Sequence, residues 1–270
     1  MADAEMRISV PVAEVAVGAY RNVFGRLGLL LDLAWVPLLI LLIATLLPGY
    51  LHFYLGLHNP LLDWHSTALG LGVEDAIEAL VGLLCLNAFA VRWHQAILFG
   101  DERLTPRGIF LGAWIRFLLY TLLLYLISAG LIVTLLIANT DKAPVYLAPS
   151  ASLLAILLWT GTIRCSLLFP AAAFGKPLGI AAAWQAMRGN SWRLLGCGFV
   201  ACTPVLLAVM LILSGAYTGF HIERFERLPL GFFVLRGVVE TCTNILIVAL
   251  GAAVLSSFYR RIMLRGLGVF

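Results

Sequence analysis

Asp32, Asn87 and His94 interrupt two long apolar runs, and their side chains are of types that handle protons or ions. A carboxylate set in hydrocarbon is costly, which makes Asp32 a functional suspect by default. Asp32 lies about 9 Å beyond Arg26 along a helix rising 1.5 Å per residue. Asn87 precedes His94 by about two helical turns, which sets it at nearly the depth of Asp32. The expectation is a polar site in the membrane where Asp32 and Asn87 meet, with Arg92 or His94 close by. Such a pair is equally suited to holding two helices together, a contribution on the order of 0.6–2 kcal/mol.

Glu74 and Glu240 occupy matching outer ends of the second and sixth apolar runs, with Asp75 and Glu78 beside the first and Thr241 and Asn244 beside the second. These outer acidic positions could form a vestibule for a cation. Arg236, however, precedes Glu240 at the i,i+4 spacing of a helical ion pair, and carboxylates favour helix N-termini on dipole grounds. The structural role is the stronger expectation. His52, His58, His65 and Asp63 share one connection, but their gaps are too wide for the close ligand spacing of a zinc site. No HExxH, GxSxG, phosphate-binding Gly-rich loop or dinucleotide turn occurs. No metal, cofactor or catalytic residue is therefore expected, and the chain is read as a non-enzyme.

The elements that must position these residues follow from composition. With 62% hydrophobic residues, 12% charged residues and a mean hydropathy of +0.99, the chain lies outside the range of soluble domains. Six stretches are long enough to cross a bilayer as helices of roughly 20 residues: 27–47, 77–98, 117–138, 149–171, 194–215 and 237–258. Unsatisfied backbone groups are too costly in lipid for anything but helices or closed barrels, and no span alternates as barrel strands do. Cys85, Cys165, Cys197, Cys202 and Cys242 fall in or beside the spans without CxxC spacing and read as small core residues.

Lys and Arg concentrate on one side of this topology. Arg26, Arg116, Arg164, Arg193 and Arg260 mark the interfacial basic positions. The positive-inside rule then places both termini in the cytoplasm, with the charge facing anionic headgroups rather than nucleic acid.

The spans form three hairpins of one design. Leu98-Phe99-Gly100, Leu168-Phe169-Pro170 and Leu264-Arg265-Gly266 close them, and His94, Arg164 and Arg260 stand four residues before each Leu. Arg21, Arg26, Ala34, Pro37 and Tyr50 align at constant offset with Arg188, Arg193, Ala201, Pro204 and Tyr217. Before each odd span lies an amphipathic stretch. Val12, Val15, Ala16, Ala19, Tyr20 and Val23 share one face of the first; Ile109, Phe110, Ala113 and Trp114 follow Thr105-Pro106 in the second. Ile180, Ala183, Trp184 and Met187 form the third. Short interfacial helices are expected at all three.

Arg188-Gly189-Asn190-Ser191-Trp192-Arg193-Leu194-Leu195-Gly196, with Ala183-Trp184 before it, resembles a segment of uncharacterised bacterial six-span inner-membrane proteins. It is also distantly similar to the membrane domain of glycerophosphodiester phosphodiesterases. Trp93-His94 with Leu98 and Gly100 is similar to a motif of the proteobacterial members of the first group. No catalytic domain is expected here, so the resemblance implies a multi-pass protein of the bacterial inner membrane and no activity. The expectation is one membrane domain over 1–270: an all-α bundle of six transmembrane helices in three repeated hairpins. Its leading role is that of an accessory or scaffold protein contacting membrane lipids, a membrane-protein partner or a second copy. The alternative is a small transporter or channel with its site near Asp32 and Asn87.

Overall fold

The computed structural model describes residues 10–53, 73–100, 107–138, 147–176, 178–220 and 230–264, and every regular element among them is helical. In order these are α1 (Val12–Phe24), α2 (Leu27–Phe53), α3 (Val73–Phe99), α4 (Arg107–Ala138) and α5 (Leu147–Cys165). The short α6 (Leu168–Ala173) and α7 (Ile180–Ala186) lead to α8 (Ser191–Gly219) and α9 (Leu230–Tyr259). A π turn over Arg260–Leu264 ends the described chain. Six helical stretches are long and apolar enough to cross a membrane: Leu27–Leu47, Ala76–Phe99, Phe110–Gly130, Ser152–Ala173, Ser191–Gly219 and Leu230–Met263.

The last span is the hub. Its most apolar window is 44% buried, against 11% for the windows in α4 and α8, and it packs against α1, α2, α3, α6 and α8. The cause lies in its small residues. Gly237, Thr241, Thr243, Ala249, Ala252, Ala253 and Ser256 are buried along it. Lipid offers no hydrophobic drive for helix association, so close backbone approach and dispersion must supply it. At Gly237 a Cβ would meet the Leu46 side chain of α2 at 2.5 Å.

Contacts define two ends of the bundle. At one, Arg26 reaches the carbonyl of Ala96, Arg92 lies over Phe110, Phe99 stacks on Phe174 and Arg193 reaches the carbonyl of Val10. At the other, Thr45 bonds to Glu78 and Phe220 packs edge-on against Phe232. Almost all the described Arg and Lys side chains stand at the first end, with Arg236 at the other.

Two of the three amphipathic stretches are helices of their own. In α1, Val15, Ala16, Ala19 and Val23 are buried, as their spacing predicts. They are buried against protein, however, because α1 lies against α8 and α9. Tyr20 donates to the carbonyl of Ala201 at 2.6 Å, and burial beside Cys202 raises its phenol pKa. In α7, Ala183 is buried, as is Met187 at its C-cap, while Ile180 and Trp184 stay exposed. The stretch before the third span corrects the expectation. Residues from Arg107 onward are continuous with α4, so they form the first turns of that span. Thr105 and Pro106 lie outside the described residues.

Glycine fixes two of the joints. Gly100 ends α3 with φ +81°, and Gly189 turns the chain between α7 and α8 with φ +85°. Both angles fall in the left-handed region that side chains disfavour. The Gly189 turn gives a physical reason for the distinctive Arg188–Trp192 segment. Pro37 and Pro204 lie within α2 and α8, which run on past them.

Candidate functional site

Polar groups inside the bundle are held in pairs along α3. The Asn87 amide donates to the Leu83 carbonyl at 2.5 Å, and its oxygen accepts from Thr121 of α4 at 2.6 Å. One turn past the next, His94 shares a 2.7 Å hydrogen bond between Nδ1 and the Ser256 hydroxyl of α9. Trp93 Nε1 donates to the carbonyl of Ala249 at 3.0 Å. Gln95 donates to the carbonyl of Ala173 at 3.2 Å, while its own oxygen is buried without a partner among the described residues.

Asn87, Thr121 and His94 line a crevice of about 290 Å³ between α3, α4 and α9. A second cavity of about 390 Å³, lined by Thr45, Glu78, Thr241 and Asn244, adjoins it. Gly82, Leu83, Leu86 and Tyr125 belong to both walls. The two together trace a mostly apolar groove along α3, from its Glu78 end to His94.

This arrangement corrects the expected partnership of Asp32 and Asn87. Asp32 is exposed on the outer face of α2, while Asn87 is buried and bonded to Thr121. Equal depth along two helices leaves open which way each side chain turns, and here they turn apart. Exposed to the bundle's surroundings, Asp32 has no bonding partner among the described residues to lose. Asp32→Leu should leave stability unchanged or raise it in a detergent unfolding titration. A loss above about 0.5 kcal/mol, the range of neutral surface substitutions, would point to a partner for the carboxylate.

The outer acidic positions separate as well. Glu240 is exposed and lies 4.0 Å from Arg236 at the i,i+4 spacing, which is the structural role. Glu74 falls in the first turn of α3 with its side chain outside the described set, and His58, Asp63 and His65 lie outside the described residues. The acidic wall of the adjoining cavity is instead Glu78, which accepts from Thr45 at 2.7 Å.

The interfacial arginines do several different things. Arg116 is exposed, and Arg164 lies 4.5 Å over the Trp184 ring. Arg193 Nη1 donates to the carbonyl of Val10 at 3.2 Å. Arg26 and Arg260 converge on the last turn of α3, donating to the carbonyls of Ala96 and Ile97 at 3.4 Å and 2.8 Å. There they help form a cavity of about 390 Å³ walled by α1, α3 and the end of α9. Arg21, Arg26, Arg260 and Arg261 line it, together with Ser256 and the carboxylate of Glu14. Arg261 holds Glu14 in a two-point ion pair, with N···O distances of 2.5 Å and 3.4 Å.

Ser256 therefore belongs to both sites: it walls the arginine cavity and bonds His94, which walls the crevice. Sequence reasoning marked Arg26, Arg260 and His94 but not Thr121, Ser256 or the Glu14–Arg261 pair. That last pair joins residues 247 positions apart, and no local spacing announces it. No protein-family model matches the chain, nor does any curated protein or solved structure.

Proposed function

We propose that this is a non-enzymatic accessory or scaffold protein of a bacterial inner membrane, working where its arginine-rich end meets lipid headgroups. The observation that carries the reading is the gathering of guanidinium groups from α1, α3, α4, α8 and the π turn after α9 at one end of a six-span bundle. By the positive-inside rule that end is cytoplasmic, with both termini on the same side. Basic groups at that depth attract anionic headgroups, each contributing about 1 kcal/mol. The three-hairpin repeat and the resemblance to bacterial six-span proteins agree with this setting. The exposed apolar side chains of α4, α5 and α8 suit lipid, and equally a membrane-protein partner or a second copy.

The test has two parts. A fluorescent-protein fusion at the C-terminus should be bright and an alkaline phosphatase fusion inactive; the reverse would place the arginines outside. Purified protein should gain several degrees of thermal stability from phosphatidylglycerol and much less from phosphatidylcholine. Salt should erode that gain, because exposed charges are screened within about 8 Å at physiological ionic strength. Equal stabilisation by both lipids would overturn the reading.

A second reading, a small transporter, is favoured by one observation: the groove along α3 ends at His94, one hydrogen bond short of the arginine cavity. Its site would be Asn87, Thr121 and His94, without Asp32.

A further inference from the structure

Resting on the lipid-contact reading, we propose that the arginine cavity is a specific phosphate site, which takes the headgroup of an anionic phospholipid. The rest of the fringe attracts negative charge diffusely; this cavity is built to hold one oxyanion.

The first reason is chemical. The side chains of Arg21 and the adjacent Asn22 line the cavity from α1, and neither side chain has a hydrogen-bond or ion-pair partner among the described residues. Arg260, on the opposite wall, has its one hydrogen bond among those residues with a neutral carbonyl, that of Ile97. A guanidinium carries five N–H donors in a planar fork, so capping α3 leaves Arg260 most of its donors. Forked, charge-assisted contacts to phosphate oxygens are what such donors suit.

The second reason is that the cavity's carboxylate is already neutralised. Glu14 would repel an anion, but Arg261 occupies both of its oxygens. The remaining guanidinium groups, Arg21, Arg26 and Arg260, line the same cavity, and among the described residues no second carboxylate lines it. Bringing like charges together is unfavourable unless something negative enters between them. The wall itself departs from regular helix at this point, since Arg260 and Arg261 sit on the π turn, a feature frequent at functional sites.

The third reason selects the source. Val17, 68% exposed, is on the rim beside Gly18, and Phe24 is 46% exposed one turn past Arg21 on the same helix. An apolar lip next to a cationic floor fits a headgroup with acyl chains attached. A freely soluble ester would leave the lip wet.

The experiment uses the full chain in detergent, titrated with phosphatidic acid, phosphatidylglycerol, phosphatidylcholine or soluble glycerol 3-phosphate, and followed by thermal shift and native mass spectrometry. Arg21 is the clean variant because its side chain bonds to no other group among the described residues. Arg21→Ala should weaken phosphatidic acid binding by about tenfold or more, the loss expected for a hydrogen bond to a charged group, and Arg21→Glu should abolish it. Arg260→Lys keeps a cation near the end of α3 but loses the fork, and should also weaken binding. Arg188→Ala, at the same end but off the cavity, should change nothing.

Identical behaviour of Arg21→Ala and Arg188→Ala would overturn the site while leaving the diffuse lipid reading intact. Saturation by glycerol 3-phosphate alone, with the same dependence on Arg21, would support the phosphate site and assign it to a soluble ester. Absence of any anionic preference in the unaltered protein would instead sink the proposed function. In that case the glycerol 3-phosphate arm decides the site on its own.

Discussion

Truncating Trp93 to alanine should destabilise the bundle more than any other single change in the polar pairs along α3. Trp93 is fully buried where α3 crosses α9. Its ring lies 6.2 Å from Phe89 in a stacked arrangement, and its N–H reaches the carbonyl of Ala249 at 3.0 Å. In soluble cores Trp→Ala costs about 3–5 kcal/mol, part transfer out of water and part cavity. In a bilayer the unfolded helices remain in lipid, so the transfer part fades and lost dispersion contacts dominate. The lower end, roughly 3 kcal/mol, is therefore expected. Trp93→Phe should recover most of it, forfeiting little more than the hydrogen bond at about 0.6 kcal/mol. Denaturant-induced loss of helicity in mixed micelles measures both. An alanine variant within 1 kcal/mol of the parent would mean that α9 is held by other contacts.

That expectation gives the Trp93-His94 motif a physical meaning that the sequence alone left unstated. The two residues are consecutive, yet each bonds to α9, about two turns apart, at Ala249 and Ser256. The sequence displays the pair; the partners become visible only once α3 is set against α9. The six spans were legible because length and hydropathy decide them without reference to packing. Asp32 and Asn87 show where that kind of reasoning stops. Their depths follow from counting residues, but the facing direction depends on how α2, α3 and α4 rotate against one another, and Thr121 took the place assigned to Asp32.

The amphipathic stretches make a related point. In α1 the buried face was readable from spacing, but periodicity cannot distinguish burial in lipid from burial in protein. Tyr20 bonding to Ala201 and Arg193 to Val10 decide for protein. Before the third span nothing like the Gly25-Arg26 turn interrupts the helix, so Phe110 and Ala113 simply join α4. The arginine cavity was half legible. Arg26 and Arg260 stood out as span-end cations, while Arg21 lay in α1 and its approach to α9 needed the tertiary fold.

His94 carries the second large effect, and it separates the two functional readings. Its ring is buried, bonded to Ser256 and 5.7 Å from Phe117. His94→Ala should cost roughly 2 kcal/mol, less than the truncation of a larger aromatic. Ser256→Ala should cost about 0.6–1.7 kcal/mol, the range for hydrogen bonds between membrane helices. The two losses should not add, because each variant breaks the same bond; a double-mutant cycle in the micelle titration reads the coupling directly. Additive losses would show that the bond contributes nothing. Removing the imidazole also takes away a side chain that both lines the groove and bonds Ser256. If the pair serves adhesion alone, proteoliposomes of His94→Ala should be as ion-tight as those of the parent, with lower stability as the whole phenotype. A rise in flux in the variant would make the His94–Ser256 contact a barrier between two vestibules. The transporter reading would then displace the scaffold.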